Sequence, residues 1–538
     1  MPPRTKKPTP TGPSTMKELK DTLWKAADKL RGSMDASQYK DVVLGLVFLK
    51  YVSDAFDATT TEIEAELQAE GYDAEQIEQL AGDMDDYRGR GVFWVPATAH
   101  WDYLATNSKG LPDSDRYGPK SVGRLVDEAM DLLIGANQSL RNSLPRGFNR
   151  DNVDQRRLGE LVDLLNNIRF AGEGAQRARD LMGEVYEYFL EQFARAEGKR
   201  GGEFYTPPSV VRTIVEILEP TQGRVYDPCC GSGGMFVQAE KFLAAHDADK
   251  TALSIFGQEL NERTWRMATM NLAIHGLNGN LADRWGDTFA LDLHSGQQMD
   301  YVMANPPFNI KDWARSEEDP RWVYGVPPAR NANYAWMQHI ISKLKPQGMA
   351  GVVMANGSMS STSNGEGDIR ANLVEADLVT CMVALPDKLF RSTGIPACLW
   401  FFAKDKGVGA QGSMDRRGQV LFVDARSLGF LAERALRDLA DEDIQRIANT
   451  YRAWRGTASA EGAEYEDVPG FCATVPVAQI REAGYALTPG RYVGAAVVED
   501  DGKPIGEKIA RLTGELMAAF DESDRLQGVV RGQLGRMS

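Results

Sequence analysis

Apolar residues in the first part of the chain recur at every third or fourth position, which is the period of an amphipathic helix. The pattern predicts helices at residues 15–30, from about Asp35 onward, at 122–140, at 158–168 and at 181–193. The acidic and polar stretch 57–88 predicts a helix and a loop at the surface. Because no strand-rich segment occurs before about residue 200, the N-terminal part is predicted to be a helical domain.

Beyond Gly201 the pattern changes to short apolar runs separated by helical stretches. The runs lie at residues 224–226, 254–258, 301–304, 349–355, 378–385, 399–403 and 420–423, and the clearest helices between them at 208–218, 261–275 and 334–344. Strands that alternate with helices are typical of a largely parallel sheet covered on both faces. This part is therefore predicted to be an α/β, doubly wound, Rossmann-like core.

The chain ends in another helical pattern, over residues 505–534. Its apolar stripe consists of Ile505, Ile509, Leu512, Leu516, Phe520, Leu526, Val530 and Leu534. The stripe either docks on its own domain or forms a seam for a helix of a partner. The predicted organisation is a disordered basic tail at 1–13, a helical domain at 14–165, the α/β core at 166–485 and a C-terminal helical tail at 486–538.

Composition limits the partners and the compartment. The chain has 61 Lys and Arg residues and 76 Asp and Glu residues, which gives a net charge of −15. The surface as a whole therefore does not favour the binding of a nucleic acid. The five cysteines and five histidines show no metal-ligand spacing. We therefore expect a protein of the reducing cytoplasm that contains no metal site. We expect no membrane association, since the N-terminus is no signal peptide and the apolar stretch 42–49 is too short to span a bilayer.

A glycine-rich turn follows the first predicted strand of the core. The segment 227–236 reads Asp-Pro-Cys-Cys-Gly-Ser-Gly-Gly-Met-Phe, and it matches neither a Walker loop nor the dinucleotide spacing GxGxxG. Such a turn lets the backbone approach a ligand closely at a helix N-terminus, although a plain turn would also use these residues. The candidate ligand-binding residues are Asp227, Cys229, Cys230, Gly231, Ser232 and Gly233. Packing is the expected role of the cysteine pair, rather than redox or metal chemistry.

Two carboxylates follow in positions where a nucleoside could be bound. Glu259 ends the next predicted strand, where such a residue reaches the hydroxyls of a ribose in doubly wound sheets. Alone it could equally be a charge at a helix N-terminus. Asp287, in the segment Gly-Asp-Thr-Phe, could accept a hydrogen bond from an adenine amino group or form an ordinary Asp turn.

The sharpest signal is the segment Asn305-Pro306-Pro307-Phe308, directly after an apolar strand. The prolines stiffen the loop and remove two donors, which leaves the Asn305 side-chain oxygen and the Pro306 carbonyl as acceptors. These acceptors and the Phe308 ring suit a planar substrate with an exocyclic NH₂ group. The alternative is a structural Pro-Pro turn with a core phenylalanine.

A further segment, 202–208, precedes the glycine turn. We expect Thr206 to cap the following helix, with Pro207 at its first helical position. The segment is either this cap alone or a lid over a ligand. The residues concerned are Glu203, Phe204, Tyr205, Thr206, Pro207 and Pro208.

These motifs together resemble those of S-adenosylmethionine-dependent DNA adenine-N6 methyltransferases. The segment 202–208 is similar to the methionine-binding motif of that family, and its place before the glycine turn resembles the gamma subgroup. The resemblance implies that residues 305–308 are catalytic. It implies that segment 203–208, the glycine turn, Glu259 and Asp287 bind S-adenosylmethionine, and that the reaction needs no metal. The Cys229-Cys230 pair departs slightly from the expected turn.

The ends of the chain resemble one branch of this family. The run 36–53 and the segment Leu-Thr-Pro-Gly-Arg-Tyr-Val at 487–493 are similar to the modification (M) subunit of type I restriction–modification systems. The resemblance implies methylation of a flipped adenine in duplex DNA. It implies a separate specificity (S) subunit that reads the sequence, with two M per S, and it allows a restriction (R) subunit. The 505–534 helix is then the candidate docking element for the S subunit.

Local basic clusters are candidates for DNA backbone contacts, although each could equally be solvated surface. They are Arg195, Lys199 and Arg200, and Arg141, Arg146, Arg150, Arg156 and Arg157. The Asn-Pro-Pro-aromatic loop is also similar to loops of RNA guanine-N2 and protein-glutamine methyltransferases. The helical N-terminal part favours the DNA enzyme, and the intact motifs argue against a scaffold that has lost activity.

Overall fold

The computed structural model describes most of the chain. The described residues are 36–112, 119–141, 143–166, 183–190, 192–193, 206–246, 252–390, 396–409, 411–433 and 436–495, with scattered positions in 20–28 and 509–527. Outside the described residues lie the predicted tail 1–13, most of the predicted helix at 15–30 and most of the 505–534 helix. The chain forms two compact units, Met1–Val493 and Gly494–Ser538. Within the described ranges, no helix is both long and apolar enough to cross a bilayer.

The N-terminal part is helical, as predicted. Its helices are α1 (Ala36–Glu70), α2 (Ala74–Leu80), α3 (Met84–Gly89), α4 (Trp101–Thr106), α5 (Val122–Ala136) and α6 (Gln155–Asn166), with short 3₁₀ turns at Ala97–Ala99 and Gln138–Leu140. Residues 183–190 are also helical. Among the described residues of this part, the strand-like feature is a single antiparallel bridge between Leu111 and Lys120.

The core of the helical part continues into the second half of the chain. Its buried side chains come from α1, α4, α5, α6 and the 183–190 helix, and they include Met267, Met270 and Ile274 of a later helix. Two buried tyrosine hydroxyls fasten the same helix: Tyr51 donates to the Ile274 carbonyl at 3.1 Å and Tyr186 to the Met267 carbonyl at 3.2 Å. The helical part is therefore packed firmly on one helix of the α/β core.

A nine-stranded sheet forms the centre of the α/β core. Its strands are β1 (Gly223–Asp227), β2 (Leu253–Gly257), β3 (Gly279–Asn280), β4 (Met299–Ala304), β5 (Leu344–Ala355), β6 (Val379–Ala384), β7 (Ala397–Ala403), β8 (Gln419–Asp424) and β11 (Cys472–Pro476). Across the sheet they follow the order β11-β8-β6-β7-β5-β4-β1-β2-β3. All seven strands predicted from apolar runs are confirmed. A separate antiparallel pair is formed by β9 (Phe430–Glu433) and β10 (Leu436–Asp438).

Two strands of the sheet run against the rest. β7 pairs antiparallel with both β5 and β6, and β11 pairs antiparallel with β8. The sequence pattern predicted only a largely parallel sheet, because a strand buried on both faces is apolar in either direction. No crossover helix separates β6 from β7 in the described residues, and a parallel partner would require such a crossover.

Helices cover both faces of the sheet. They are α7 (Pro208–Leu218), α8 (Gly234–Ala245), α9 (Glu262–Ile274), α10 (Asn333–Lys343), α11 (Glu366–Glu375), α12 (Asp441–Arg455) and α13 (Val477–Glu482), with 3₁₀ turns at Asn356–Met359, Ser363–Gly365, Ala458–Ala460 and Pro489–Arg491. One core joins the sheet to α7, α8, α9 and α12, and the other joins it to α10, α11 and α13. The predicted doubly wound arrangement is confirmed.

The order of the strands reverses between β1 and β4. From β1 the chain proceeds to β2 and β3 on one side, and from β4 to β5 on the other. β1 and β4 are parallel neighbours, with Tyr226 opposite Val302, so their carboxyl ends open on the same edge. In doubly wound sheets a crevice forms at such a switch point, and ligands bind there. The glycine turn after β1 and the Asn305 loop after β4 lie at this point.

The two glycines of α5 give a matched test of the packing in the helical part. A Cβ atom at Gly123 would lie 2.1 Å from the Phe148 carbonyl oxygen, whereas one at Gly135 would meet nothing within 4 Å. We expect Gly123→Ala to destabilise the protein by about 1–3 kcal/mol through steric overlap. Gly135→Ala is expected to stabilise it by about 0.5–1 kcal/mol, because alanine has the higher helix propensity.

Chemical unfolding of both variants, followed by circular dichroism, measures the difference. Equal midpoints for the two variants would contradict the described packing of α5 on the Phe148 loop.

Candidate active site at the switch point of the sheet

A cavity of about 340 Å³ lies at the carboxyl ends of β1, β2 and β4, a volume within the range of small-molecule sites. A smaller cavity of about 70 Å³ adjoins it, and Leu190, Cys229, Gly231, Ser232 and Asn305 line both. Of the predicted site residues, Cys229, Gly231, Ser232, Glu259, Asp287, Asn305 and Pro307 line the larger cavity. Thr206, Pro208, Asp227 and Cys230 line the smaller one. The structure thus brings most of the predicted residues together.

The glycine turn is held against the strand beside it. The Cys230 amide donates to the Gln258 carbonyl at 2.9 Å, and the Gly231 amide donates to Glu259 Oε2 at 3.0 Å. Gly231 and Gly233 have positive φ angles of 55° and 81°, which glycine adopts without strain. A side-chain carbon at Gly231 would meet no protein atom within 4 Å, so the turn faces open space.

The two predicted nucleoside-binding carboxylates lie on the same cavity. Glu259 is oriented by the Gly231 amide and by the Asn261 amide, which donates to its Oε1 at 2.8 Å. Asp287 accepts a hydrogen bond from the Phe289 amide at 2.8 Å, so it forms the local Asp turn that was the alternative reading. Because Asp287 also lines the cavity, this turn is compatible with a contact to a ligand.

Asn305 is anchored by a residue from the segment before the glycine turn. Its Nδ2 donates to the Thr206 hydroxyl oxygen at 2.8 Å, which leaves Oδ1 as the acceptor of the amide. The expected helix cap is wrong: α7 begins at Pro208, and its N-cap residue is Pro207, with no side-chain capping bond. Thr206 precedes the N-cap by one residue, and its hydroxyl accepts from Asn305 Nδ2.

Several predicted residues lie away from the cavity or outside the described ranges. Pro306 is buried, and Phe308 is partly buried and packs on the core that includes α7; neither is among the described lining residues. Gly233 and Pro207 likewise do not line it, and they form the N-caps of α8 and α7. Glu203, Phe204 and Tyr205 lie outside the described residues.

Burial changes the acid–base properties of the turn. Asp227 is 2% exposed, and burial raises the pKa of its carboxyl to about 7, although the Cys229 amide donates to it at 3.0 Å. Burial also raises the pKa of the Cys229 and Cys230 thiols well above their ordinary value. Both cysteines are therefore neutral at physiological pH, which favours packing over nucleophilic chemistry.

The structure adds lining residues that sequence reasoning missed. Lys40 of α1, Leu190 and Phe193 bring the helical part to the cavity, and nothing in a linear pattern could have placed them there. Phe289, Trp313 and Trp336 form an aromatic wall, with ring centroids 5.0 Å apart for Phe289–Trp313 and 4.3 Å apart for Phe289–Trp336. A signal for this wall existed: three of the ten tryptophans fall in the segment 313–336, just after Phe308.

Comparisons with known proteins show the family of this chain. Residues 177–501 match the family model described as N-6 DNA Methylase, and residues 19–165 match the HsdM N-terminal domain. The chain is 43% identical, over 82% of its length and 99% of the relative, to the type I restriction enzyme HindI methylase subunit of Haemophilus influenzae. It is 37% identical, over 96% of its length and 90% of the relative, to the MjaIX methylase subunit of Methanocaldococcus jannaschii.

A solved structure shares the fold. The type I restriction-modification system methyltransferase subunit from Streptococcus thermophilus superimposes with a TM-score of 0.69 at 25% identity, covering 89% of this chain and all of that one. The chain therefore belongs to the methylase subunits of type I restriction enzymes, a family of adenine-specific DNA methyltransferases that use S-adenosylmethionine.

Proposed function

We propose that this chain methylates N6 of an adenine flipped out of duplex DNA, as the modification subunit of a type I complex whose sequence specificity comes from a separate subunit. One observation carries the assignment of the site. Asn305, with its acceptor oxygen, stands on the wall shared by the larger and the smaller cavity. A substrate amino group at Asn305 would therefore meet a ligand that extends through both cavities.

The cavities fit the two halves of S-adenosylmethionine. We place its adenosyl group in the larger cavity, with Glu259 accepting from the ribose hydroxyls, Asp287 accepting from the adenine amino group and Phe289 contributing to the aromatic wall. We place its amino-acid end in the smaller cavity, near Thr206, Asp227 and the glycine turn. When bound, this cofactor supplies a methyl group already activated by a positively charged sulfur. Pro207 and the segment 203–205 would complete the binding site for the amino-acid end of the cofactor.

Asn305 and Pro306 would activate the substrate nitrogen. The amino lone pair of adenine is delocalised into the ring, so this nitrogen is a weak nucleophile. Acceptance of its two hydrogens by Asn305 Oδ1 and the Pro306 carbonyl favours a pyramidal nitrogen and stabilises the positive charge that develops on it. The hydrogen bond from Asn305 Nδ2 to Thr206 holds the amide in this orientation. Pro307 stiffens the loop, and alignment supplies much of the remaining rate enhancement.

Base flipping is required because the N6 atom of a paired adenine lies inside the duplex. In this proposal Phe308 stacks on the extruded base and recovers about 1–3 kcal/mol of lost stacking. Phe308 packs on the core that includes α7, three residues from Asn305 in the same loop. The RNA and protein alternatives fit the same loop, and membership of the DNA methylase family supports DNA.

Partner subunits would supply the positive surface that this chain lacks. Three of the candidate basic residues are neutralised on their own surface: Arg146 pairs with Asp131, Arg156 with Glu160, and Arg157 with Asp154. These pairs favour the solvated-surface reading and support DNA recognition by an S subunit. We propose two M per S, with an R subunit as a further partner. Arg195, Lys199 and Arg200 lie outside the described residues.

We propose that the domains follow the boundaries suggested by the sequence, with a helical domain at 14–165, a methyltransferase domain at 166–485 and a docking tail at 486–538. Leu487 and Val493, at the start of this tail, are buried, whereas the described apolar residues of the 505–534 helix are exposed, with Leu516 53%, Phe520 57% and Leu526 48% accessible. An exposed apolar stripe on a helix suits a docking contact to another chain. The tail is therefore the proposed contact to the S subunit.

Asn305→Ala is expected to lower methylation by at least about 10²–10³-fold, because it removes an acceptor that acts in the transition state. Cofactor affinity should stay near that of the wild type. Asn305→Asp, which keeps an acceptor oxygen, should retain more activity than the alanine variant. Radiolabelled methyl transfer and calorimetric cofactor binding, with the chain co-expressed with its partner subunits, measure the two effects.

Mapping of N6-methyladenine in a host without background methylation tests the whole proposal. Marks at one split recognition sequence, absent with Asn305→Ala, support it. Wild-type turnover in Asn305→Ala would refute the role of Asn305. An unmarked genome despite confirmed cofactor binding and an assembled complex would refute the DNA substrate.

Cofactor affinity is expected to rise with pH up to about 7, by up to about tenfold per pH unit. The Asp227 carboxyl has a pKa of about 7 because it is buried, and a cationic ligand beside it favours the carboxylate. Binding below pH 7 should therefore release a proton. Calorimetry at pH 6 in buffers of different ionisation enthalpy detects this release. Asp227→Asn should abolish it, and proton release that persists in this variant would contradict the assignment.

Deletion of residues 505–534 is expected to release the S subunit in a pull-down, because the docking stripe is lost. The paired change Leu516→Asp with Phe520→Asp should have the same effect, since these residues share one helix face. Asp521→Ala, at an exposed polar neighbour, serves as the control. A complex that survives the paired change unaltered would contradict the docking role.

A further inference from the structure

The long segment between β4 and α10 folds over the larger cavity and contributes Ile310, Asp312 and Trp313 to its wall. Arg321 belongs to the same segment, but it does not line either cavity described above. Its side chain is 15% exposed, and it lies behind the Asp287–Phe289 loop. Burial of an arginine costs free energy unless its N–H donors are hydrogen-bonded. The hydrogen-bond partners of Arg321 therefore indicate its role.

Arg321 binds the backbone of the loop that carries Asp287. Its Nη1 donates to the Thr288 carbonyl at 2.9 Å, and its Nη2 donates to the Phe289 carbonyl at 2.8 Å. Its guanidinium also lies 5.8 Å from the centre of the Phe289 ring. Arg321 thus binds the carbonyls of Thr288 and Phe289, and it contacts the Phe289 ring, two residues after Asp287.

The loop is fastened on its other side to the glycine turn. The Thr288 hydroxyl donates to the Pro228 carbonyl at 2.6 Å, and Asp287 is oriented by the Phe289 amide at 2.8 Å. The loop therefore lies between the glycine turn and Arg321. Displacement of Arg321 would release the Phe289 amide that orients the Asp287 carboxylate.

Arg321 is itself held by two groups. Asp319 accepts from Nε at 2.9 Å and from Nη2 at 2.5 Å, and His339 Nδ1 lies 3.1 Å from Nη1. Burial lowers the pKa of His339 to about 3, and the charge of Arg321 acts in the same direction. His339 is thus neutral at physiological pH, and its Nδ1 acts as an acceptor. Every donor of the guanidinium therefore has an acceptor.

We propose that Arg321 is a positioning residue that sets the selectivity of this enzyme for the adenine of its cofactor. It acts through the 287–289 loop, by holding Asp287 where that carboxylate accepts from the adenine amino group. The inference rests on the proposed function, which places the cofactor's adenine at Asp287. Lysine cannot replace Arg321, because a single ammonium lacks the planar fork that serves two carbonyls and a carboxylate together.

The test compares two ligands that differ in the group Asp287 would recognise. S-adenosylhomocysteine carries the amino group, and S-inosylhomocysteine carries a carbonyl oxygen there. We expect the wild-type chain to bind the adenosyl ligand about 10–100-fold more tightly, as the loss of a hydrogen bond to a charged group implies. In Arg321→Lys this ratio should fall to within about threefold of unity, mainly through weaker binding of the adenosyl ligand.

Arg452→Lys is the matched control. Arg452 is also buried, donates to the Glu216 carbonyl at 2.9 Å and pairs with Glu216 and Glu219, but it joins α12 to α7 away from both cavities. It should lower the melting temperature without changing the ligand ratio. Asp319→Asn provides a second variant that keeps the guanidinium and weakens its anchor, so that the ratio can be read even if Arg321→Lys fails to fold.

The outcomes separate the two proposals. A wild-type ratio near unity would overturn both the placement of adenine at Asp287 and the role of Arg321. A large wild-type ratio that persists in folded Arg321→Lys, or in Asp319→Asn when the lysine variant does not fold, would overturn the role of Arg321 alone. A ratio that falls equally in Arg452→Lys would show a general effect of stability and would likewise overturn it.

Discussion

The parallel pairing of β1 with β4 is the constraint on which the active site depends. It joins the two halves of the sheet at the point where strand order reverses, with Tyr226 opposite Val302. Because both strands end at the same edge, the glycine turn and the Asn305 loop become neighbours although about 75 residues separate them. The shared cavity wall, the Thr206–Asn305 hydrogen bond and the loop held by Arg321 all follow from this adjacency.

The helical part is a structural component of the active site. It shares a continuous core with α9, the helix that begins directly beyond Glu259, and it contributes Lys40, Leu190 and Phe193 to the larger cavity. Movement of the helical part against α9 would therefore change the shape of the ligand site.

The charge of this protein suits its cofactor better than it suits DNA. The chain carries a net charge of −15, and the described cavities contain the carboxylates Asp227, Glu259 and Asp287. These carboxylates suit a cofactor that bears positive charge, whereas they oppose a polyanion. An enzyme of this composition gains from a partner that supplies the phosphate contacts. The proposed arrangement, in which a separate subunit carries the sequence specificity, meets that requirement.

Local patterns were sufficient for much of this structure. Periodicity and turn chemistry depend on near neighbours, so they could be read from the chain. They predicted the helical part, seven strands of the sheet and the three clearest core helices. They also singled out Glu259, Asp287 and Asn305, which line the larger cavity. The direction of β7 could not, because a strand buried on both faces is apolar in either orientation, and β11 was not among the predicted strands. The cap at Thr206 was misassigned for a related reason, since its partner Asn305 lies 99 residues away. Sequence by itself determined most of the elements and the residue types of each motif. Only the tertiary structure decided that Lys40 and Trp336 line one cavity and that Arg321 holds the loop beside it, because long-range packing brings them together and leaves no periodic trace in the chain.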